Sequence, residues 1–210
     1  MALILYTNPQ SRGRIARWMC EELKEAAGIG YEAVVLDYDT TMKAPDYLAI
    51  NPMGKVPAIV HDGTVVTEAA AICAYLGDAF PEAGLAPAVN DPARGPYYRW
   101  LFFAAGPLEQ AIINRTLGVT QDTDRQRMVG YGSYDAAVAA LEGWLGTHDF
   151  VTGARFTAAD VYVGAAVAWG RAFGTLPKRA DFEDYAARRM GRPAAARAEE
   201  IDEALAKGAA

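Results

Sequence analysis

The chain has 210 residues, 52% of them apolar and 22% charged, and carries a net charge of -6. That length suits one large domain or two modest ones, and the apolar content is too high for a disordered chain. Its basic residues form no cluster, so neither nucleic acid nor an anionic membrane surface is an expected partner.

In chain order, Ala2–Tyr6 is a short apolar run stopped by Asn8-Pro9, the pattern of a buried strand followed by a turn. Ile15, Trp18, Met19 and Leu23 then recur at helical spacing until Gly28, which predicts an amphipathic helix. Residues 31–38 are β-branched and aromatic and predict a second strand, completing a right-handed βαβ unit. After Asn51-Pro52, the runs Val56–Val60 and Thr64–Thr67 flank Asp62-Gly63, a strong hairpin signal. Ile72, Tyr75, Leu76 and Ala79 then mark one apolar face of a further helix. The order β-α-β, loop, β-β-α within about 80 residues is that of a thioredoxin-like α/β domain.

Residues 81–92 hold Pro81, Pro87 and Pro92 around Gly84 and read as a linker. Beyond it no strand run of comparable quality occurs, so 93–210 is expected to be an all-α helical domain. The expected division is therefore 1–80, a linker at 81–92, and 93–210. Glu203 and Lys207 at i,i+4 support a last surface helix.

The two cysteines, Cys20 and Cys73, form no C-x-x-C pair, and the two histidines, His61 and His148, lie far apart, so no metal site is expected. No apolar stretch reaches about 18 residues and the N-terminus lacks a basic leader region, which points to a soluble cytoplasmic protein.

Three short segments carry candidate chemistry. Ser11 stands where an N-cap of the first helix belongs, and a helix N-terminus also stabilises an anion such as a thiolate. Lys55-Val56-Pro57 reads either as a proline opening an edge strand or as a cis Val-Pro bond that presents the Val56 backbone to a peptide-like ligand. Thr67-Glu68-Ala69 opens the helix after the hairpin. It serves as Thr67 N-cap plus first-turn acid, or as a cradle for a ligand carboxylate and ammonium.

Taken together, these segments resemble the cytosolic glutathione transferase superfamily. Asn51-Pro52-Met53-Gly54-Lys55-Val56-Pro57-Ala58 is similar to its N-P-x-G-x-V-P segment. Thr67-Glu68-Ala69 stands at its Glu-Ser pair, and Phe156-Thr157-Ala158-Ala159-Asp160 matches its hallmark helix start, a capping box in its own right. The resemblance spans essentially the whole chain. It implies extended glutathione as co-substrate, with no metal, paired to the backbone of Val56 beside a cis Val56-Pro57 bond. Glu68 and the Ala69 N–H would hold the γ-glutamyl end, and Lys43 or Lys55 the glycyl carboxylate. Ala69 departs from the pattern, because the usual hydroxyl is missing. For activation of the thiol the junction offers Tyr6, Asn8 and Ser11. Ser11 is the expected catalytic residue and Asn8 the alternative, while Cys20 lies too far along the helix.

The aromatic run Tyr97–Phe103 covers more than one helix face, which implies a second buried surface beyond the core, either a dimer interface or an apolar pocket. Tyr98, Phe102, Trp169 and Phe173 are the expected lining of an electrophile pocket. The implied reaction is attack of the glutathione thiolate on an apolar electrophile by a homodimeric enzyme. Glutathione-dependent isomerisation, reduction or peroxide reduction on the same site is one alternative. A non-catalytic ligand-binding protein of the same fold is another.

Overall fold

A computed structural model describes residues 2–119 and 122–208. By its contacts the chain divides into two compact units, residues 1–85 with 190–210, and residues 86–189.

The first unit is a thioredoxin-like α/β domain. Strand β1 (Leu3–Thr7), helix α1 (Gly13–Ala27), β2 (Glu32–Val35), the short helix α2 (Pro45–Leu48), β3 (Ala58–His61), β4 (Thr64–Thr67) and α3 (Ala69–Ala79) follow in order. The strands form one four-stranded sheet in the order β2-β1-β3-β4. β1 and β2 run parallel, as a βαβ crossover requires, and the β3–β4 hairpin is antiparallel. Its turn has positive φ at both Asp62 (46°) and Gly63 (85°), the backbone that the Asp-Gly pair favours.

Leu3, Leu5 and Ile59 of the sheet are buried, as are Ile15, Met19 and Leu23 of α1 and Ile72 and Leu76 of α3. A second cluster, Leu36, Met42, Tyr47 and Ala58, takes in Tyr6, Ile50 and Val56. The edge strand β2 is exposed along its length, and its single pairing is to β1.

The helix α9 (Pro193–Gly208), late in the chain, belongs with this domain. Composition alone groups it with the helical half, within 93–210; in the structure its neighbour is α1. Complementary charges link the two segments. Buried Arg17 bonds to Asp202 at 2.7 Å, Arg192 bonds to Glu22, and Arg197 bonds to Glu21. Residues 209 and 210 of the expected helical domain lie outside the described residues, as do 120 and 121.

The second unit holds α4 (Arg94–Phe103), α5 (Glu109–Thr116), α6 (Tyr134–Leu145), α7 (Ala158–Ala172) and α8 (Ala180–Met190). A π-helical turn, Ala104–Leu108, joins α4 to α5 and contains Pro107. The missing N–H of that proline explains why the regular ladder breaks there. Tyr97, Trp100 and Leu101 of α4 are core residues. α7 opens with a full capping box: Thr157 accepts from the backbone N–H of residue 160, and the Asp160 carboxylate accepts from Thr157 N–H at 2.9 Å. Asp160 also accepts from Val151 N–H and Tyr185 O–H, so this one side chain ties a loop and α8 to the start of α7.

Candidate active site

Strand register decides which segments meet. Tyr6 pairs with Ala58, and Ala58 pairs with Thr67. The residues that follow β1, precede β3 and follow β4 therefore leave the sheet at the same end. They are Asn8–Ser11, Val56-Pro57 and Glu68-Ala69, the three segments singled out above.

The Val56-Pro57 peptide is cis. The loop before it is held from below: Lys55 C=O accepts from Tyr47 O–H at 2.5 Å and from Asn51 Nδ2 at 2.8 Å. Among the described residues neither Val56 N–H nor Val56 C=O takes a backbone partner, while the Val56 side chain packs on the Leu36–Met42–Tyr47–Ala58 cluster. A half-buried residue with its main-chain donor and acceptor free at a sheet end is suited to a short extended ligand.

Lys43 Nζ donates to Gly54 C=O at 2.8 Å, which brings its ammonium to this loop. A Cβ on Gly54 would lie 2.8 Å from that nitrogen and from Met42 O, so the approach needs glycine, as does the φ of +56°. Lys55 is exposed, with its side chain free to reach an anion.

Glu68, and not Thr67, is the N-cap of α3; Thr67 is still in β4. Glu68 holds φ 67° and ψ 117°, outside the usual regions for a non-glycine residue. Such a conformation costs on the order of 1–3 kcal/mol and recurs at ligand-binding positions. Its carboxylate is exposed, and Ala69 behind it is buried. The first-turn N–H groups of α3 have no side-chain cap, which leaves them open to an anion.

At the β1–α1 junction the structure shifts one assignment. The helix starts at Gly13 with Arg12 as N-cap, so Ser11 stands one residue before it. The Ser11 hydroxyl donates to Asn8 C=O at 2.7 Å and accepts Gly13 N–H at 2.8 Å, a local turn of the kind serine forms. Asn8 is buried and engaged at both ends of its amide: Nδ2 donates to Leu36 C=O and Oδ1 accepts Gln10 N–H, both at 2.8 Å. Tyr6 packs its ring against Tyr47 at 5.5 Å between centroids. Cys20 is fully buried, and that burial pushes its thiol up to about 12, so it supplies no nucleophile.

In the helical unit the four expected pocket residues fall on or at the end of two helices, α4 and α7, which contact each other. Tyr98 and Phe102 neighbour each other on α4, 6.4 Å between ring centroids, with Phe102 72% exposed. Trp169 lies half-buried on α7, and Phe173, just past its end, is 76% exposed. A cavity of about 420 Å³ sits elsewhere, at the π-helical turn, lined by Ala105, Pro107, Glu109, Gln110, Ile113 and Tyr131 among others. Only the tertiary path of the 130–131 segment places that wall, so the aromatic pattern gave no sign of it. Among the described residues no group of His, Cys, Asp and Glu is placed to hold a metal ion, and no helix is long and apolar enough to cross a membrane.

Residues 14–79 match the family model described as glutathione S-transferase, N-terminal domain. Over 160 residues the chain is 32% identical to the maleylacetoacetate isomerase of Pseudomonas aeruginosa, covering 69% of this chain and 72% of that protein. The chain belongs to the glutathione S-transferase family. Within it, a glutathione S-transferase of Xanthomonas campestris pv. campestris is 28% identical over 180 residues, 81% of this chain and 83% of the relative. The glutathione S-transferase of a sphingomonad, solved in complex with glutathione, matches with a TM-score of 0.76 at 28% identity, over 95% of this chain and 98% of that one.

Proposed function

We propose that this glutathione transferase binds glutathione across the sheet end formed by Asn8–Ser11, Val56-Pro57 and Glu68-Ala69, and activates its thiol at the N-terminus of α1. The observation that carries the reading is the free backbone of Val56 beside the cis Pro57, at the same sheet end as the two helix starts.

In this reading the cysteinyl unit of glutathione pairs with Val56. The γ-glutamyl carboxylate meets the α3 first turn at Ala69, with its ammonium on Glu68. Lys43 and Lys55 take the glycyl carboxylate. Ala69 offers a backbone contact and no hydroxyl, which weakens the γ-glutamyl end by about 0.5–1.5 kcal/mol. A free thiol has a pKa near 8.5, and lowering it by two units takes roughly 2.7 kcal/mol of preference for the anion. The positive end of α1 supplies part of this, and the Ser11 hydroxyl the rest by turning its proton from Asn8 C=O to the sulfur. Holding thiolate and electrophile together accounts for the remaining acceleration.

The electrophile is a small apolar compound taken up by the helical unit, where Tyr98, Phe102, Trp169 and Phe173 and the cavity at the π-helical turn are the candidate contacts. The exposed pair Tyr98 and Phe102 also supports a homodimer through α4. The setting is cytoplasmic and the role detoxification. The similarity to a maleylacetoacetate isomerase favours one second reading, glutathione-dependent isomerisation on the same site.

A thermal-shift titration with glutathione tests binding, since a ligand at 100 times its Kd adds about 2.7 kcal/mol of stability. Ultraviolet absorbance of the bound thiolate and turnover of an activated chloronitrobenzene test the chemistry. No thermal shift at millimolar glutathione would overturn the reading. Binding without thiolate would leave a ligand-binding protein.

A further inference from the structure

The β1–α1 junction contains one polar atom without a role. Thr7 is fully buried, and its Oγ1 has no hydrogen-bond partner. A buried hydroxyl left unpaired is costly, and such atoms in folded proteins call for an explanation.

Its position supplies one. A Cβ built on Gly13, the first residue of α1, would lie 2.1 Å from Thr7 Oγ1 and 2.9 Å from Ser11 Oγ. The two hydroxyls thus flank the same point, and their separation cannot exceed the sum of those distances. Thr7 Oγ1 is aimed at the start of α1, a helix of 15 residues, and Gly13 is small enough to let it approach.

The hydrogen-bond inventory of Ser11 is full but for one lone pair. Its oxygen carries one proton, given to Asn8 C=O, and two lone pairs, one of which takes Gly13 N–H. Asn8 C=O has a second donor, Ser11 N–H at 3.1 Å, so it stays satisfied if the hydroxyl proton leaves. The second lone pair of Ser11 Oγ is the acceptor left over, and Thr7 Oγ1 is the neighbouring donor without one.

We propose that Thr7 is a positioning residue of the thiol site, whose hydroxyl donates to Ser11 Oγ when Ser11 turns its own proton to the glutathione sulfur. The inference rests on the proposed thiol activation. Thr7 does not touch the sulfur, because its side chain is fully buried against Gly13. It acts by completing a chain, Thr7 O–H to Ser11 O–H to thiolate, in which each donor polarises the next. In this step the glutathione S–H bond ionises and its proton passes to solvent; the Ser11 proton changes its hydrogen-bond acceptor from the Asn8 carbonyl oxygen to the sulfur anion, and the Thr7 proton gains Ser11 Oγ as acceptor.

The test is the pKa of enzyme-bound glutathione, read from thiolate absorbance, in wild type, Thr7→Val, Thr7→Ser, Ser11→Ala and the double variant Thr7→Val/Ser11→Ala. Valine keeps the shape of threonine and removes the hydroxyl. Thr7→Val is expected to raise the bound thiol pKa by roughly half a unit to one unit, with glutathione Kd unchanged and turnover recovered at high pH. Thr7→Ser is expected to match wild type. In the Ser11→Ala background Thr7→Val is expected to add nothing, because the chain is already cut.

If Thr7→Val does not fold, Thr7→Ala is measured in its place. An unchanged thiol pKa in the valine variant, with Ser11→Ala shifted, overturns the role of Thr7 and leaves the proposed function standing. An additive shift in the double variant overturns the relay. Wild-type enzyme that does not lower the thiol pKa at all removes the proposed activation, and this inference with it.

Discussion

Arg17 of α1 donates to the carboxylate of Asp202 in α9 at 2.7 Å, with both side chains almost completely buried. The pair joins the two ends of the first unit, and it sits one turn along the helix whose N-terminus faces the proposed thiol site. Around it, buried Glu21 and Glu22 of α1 bond to Arg197 and Arg192. Tyr31 bridges Glu21 and Arg17.

Removing one partner of such a pair leaves a buried charge. Asp202→Ala or Arg17→Met alone is expected to cost about 3–5 kcal/mol in urea unfolding. The double replacement Arg17→Met/Asp202→Leu is expected to recover much of that loss, because two apolar side chains of similar volume need no solvation. A double variant as unstable as either single one would show that the pair contributes more than charge cancellation.

Gly13→Ala is expected to harm a helix that alanine would ordinarily help. The added Cβ falls 2.1 Å from Thr7 Oγ1, 2.9 Å from Ser11 Oγ and 3.1 Å from Asn8 N. Overpacking of this kind costs about 1–3 kcal/mol, more than the 0.5–1 kcal/mol that alanine gains over glycine in a helix. Ser11 must also move, so the bound thiol pKa is expected to rise with the loss of stability. Thermal unfolding and thiolate absorbance on the same preparation check both halves.

Ser11→Ala and Asn8→Ala separate the two candidate donors. Ser11→Ala is expected to raise the bound thiol pKa by roughly one to two units while glutathione affinity changes little, since a bond to a charged group contributes ~1.5–3 kcal/mol. Asn8→Ala is expected to act on stability, by about 1–3 kcal/mol, because it strips partners from Leu36 C=O and Gln10 N–H. The reverse pattern, with the thiol responding to Asn8→Ala and indifferent to Ser11→Ala, would make Asn8 the donor.

Asp160 gives the stability a pH dependence of its own. Burial pushes its carboxyl up to about 6, against the hydrogen bonds from Val151, Thr157 and Tyr185 that lower it. In the unfolded chain the group titrates near 3.9. Between these values the folded state holds the extra proton, so the contribution of this group is full below about pH 4. It is lost as pH rises through 6, a change of the order of 3 kcal/mol. Urea unfolding from pH 4 to 7 is expected to show this decline, and Asp160→Asn to flatten it while lowering stability overall. Thr157→Ala, which removes the N-cap beside it, is expected to cost ~0.5–2 kcal/mol and to leave glutathione Kd unchanged. A selective loss of binding would place Thr157 in the site instead.

The sequence by itself determined the thioredoxin-like order, the Asp62-Gly63 turn and the Thr157–Asp160 capping box, because each is local chemistry: periodicity, a positive-φ turn, a side chain closing on its own helix end. It also marked Ser11, Val56 and Glu68 as candidates, since strand ends and helix starts can be read from neighbours a few positions apart, while the family resemblance added Asn8, Lys43 and the role of Lys55. Only the tertiary structure decided what those groups do to one another. It moved the N-caps to Arg12 and Glu68, engaged the Ser11 proton with Asn8 C=O, and buried the Thr7 hydroxyl against Gly13 with no partner. It drew α9 onto α1 through Arg17 and Asp202, 185 positions apart, and kept Tyr98 and Phe102 out of the cavity at the π-helical turn. Each of these depends on which residues distant in sequence share a desolvated space. The energy of a buried charge or hydroxyl is set by that space, and no periodicity in the chain records it.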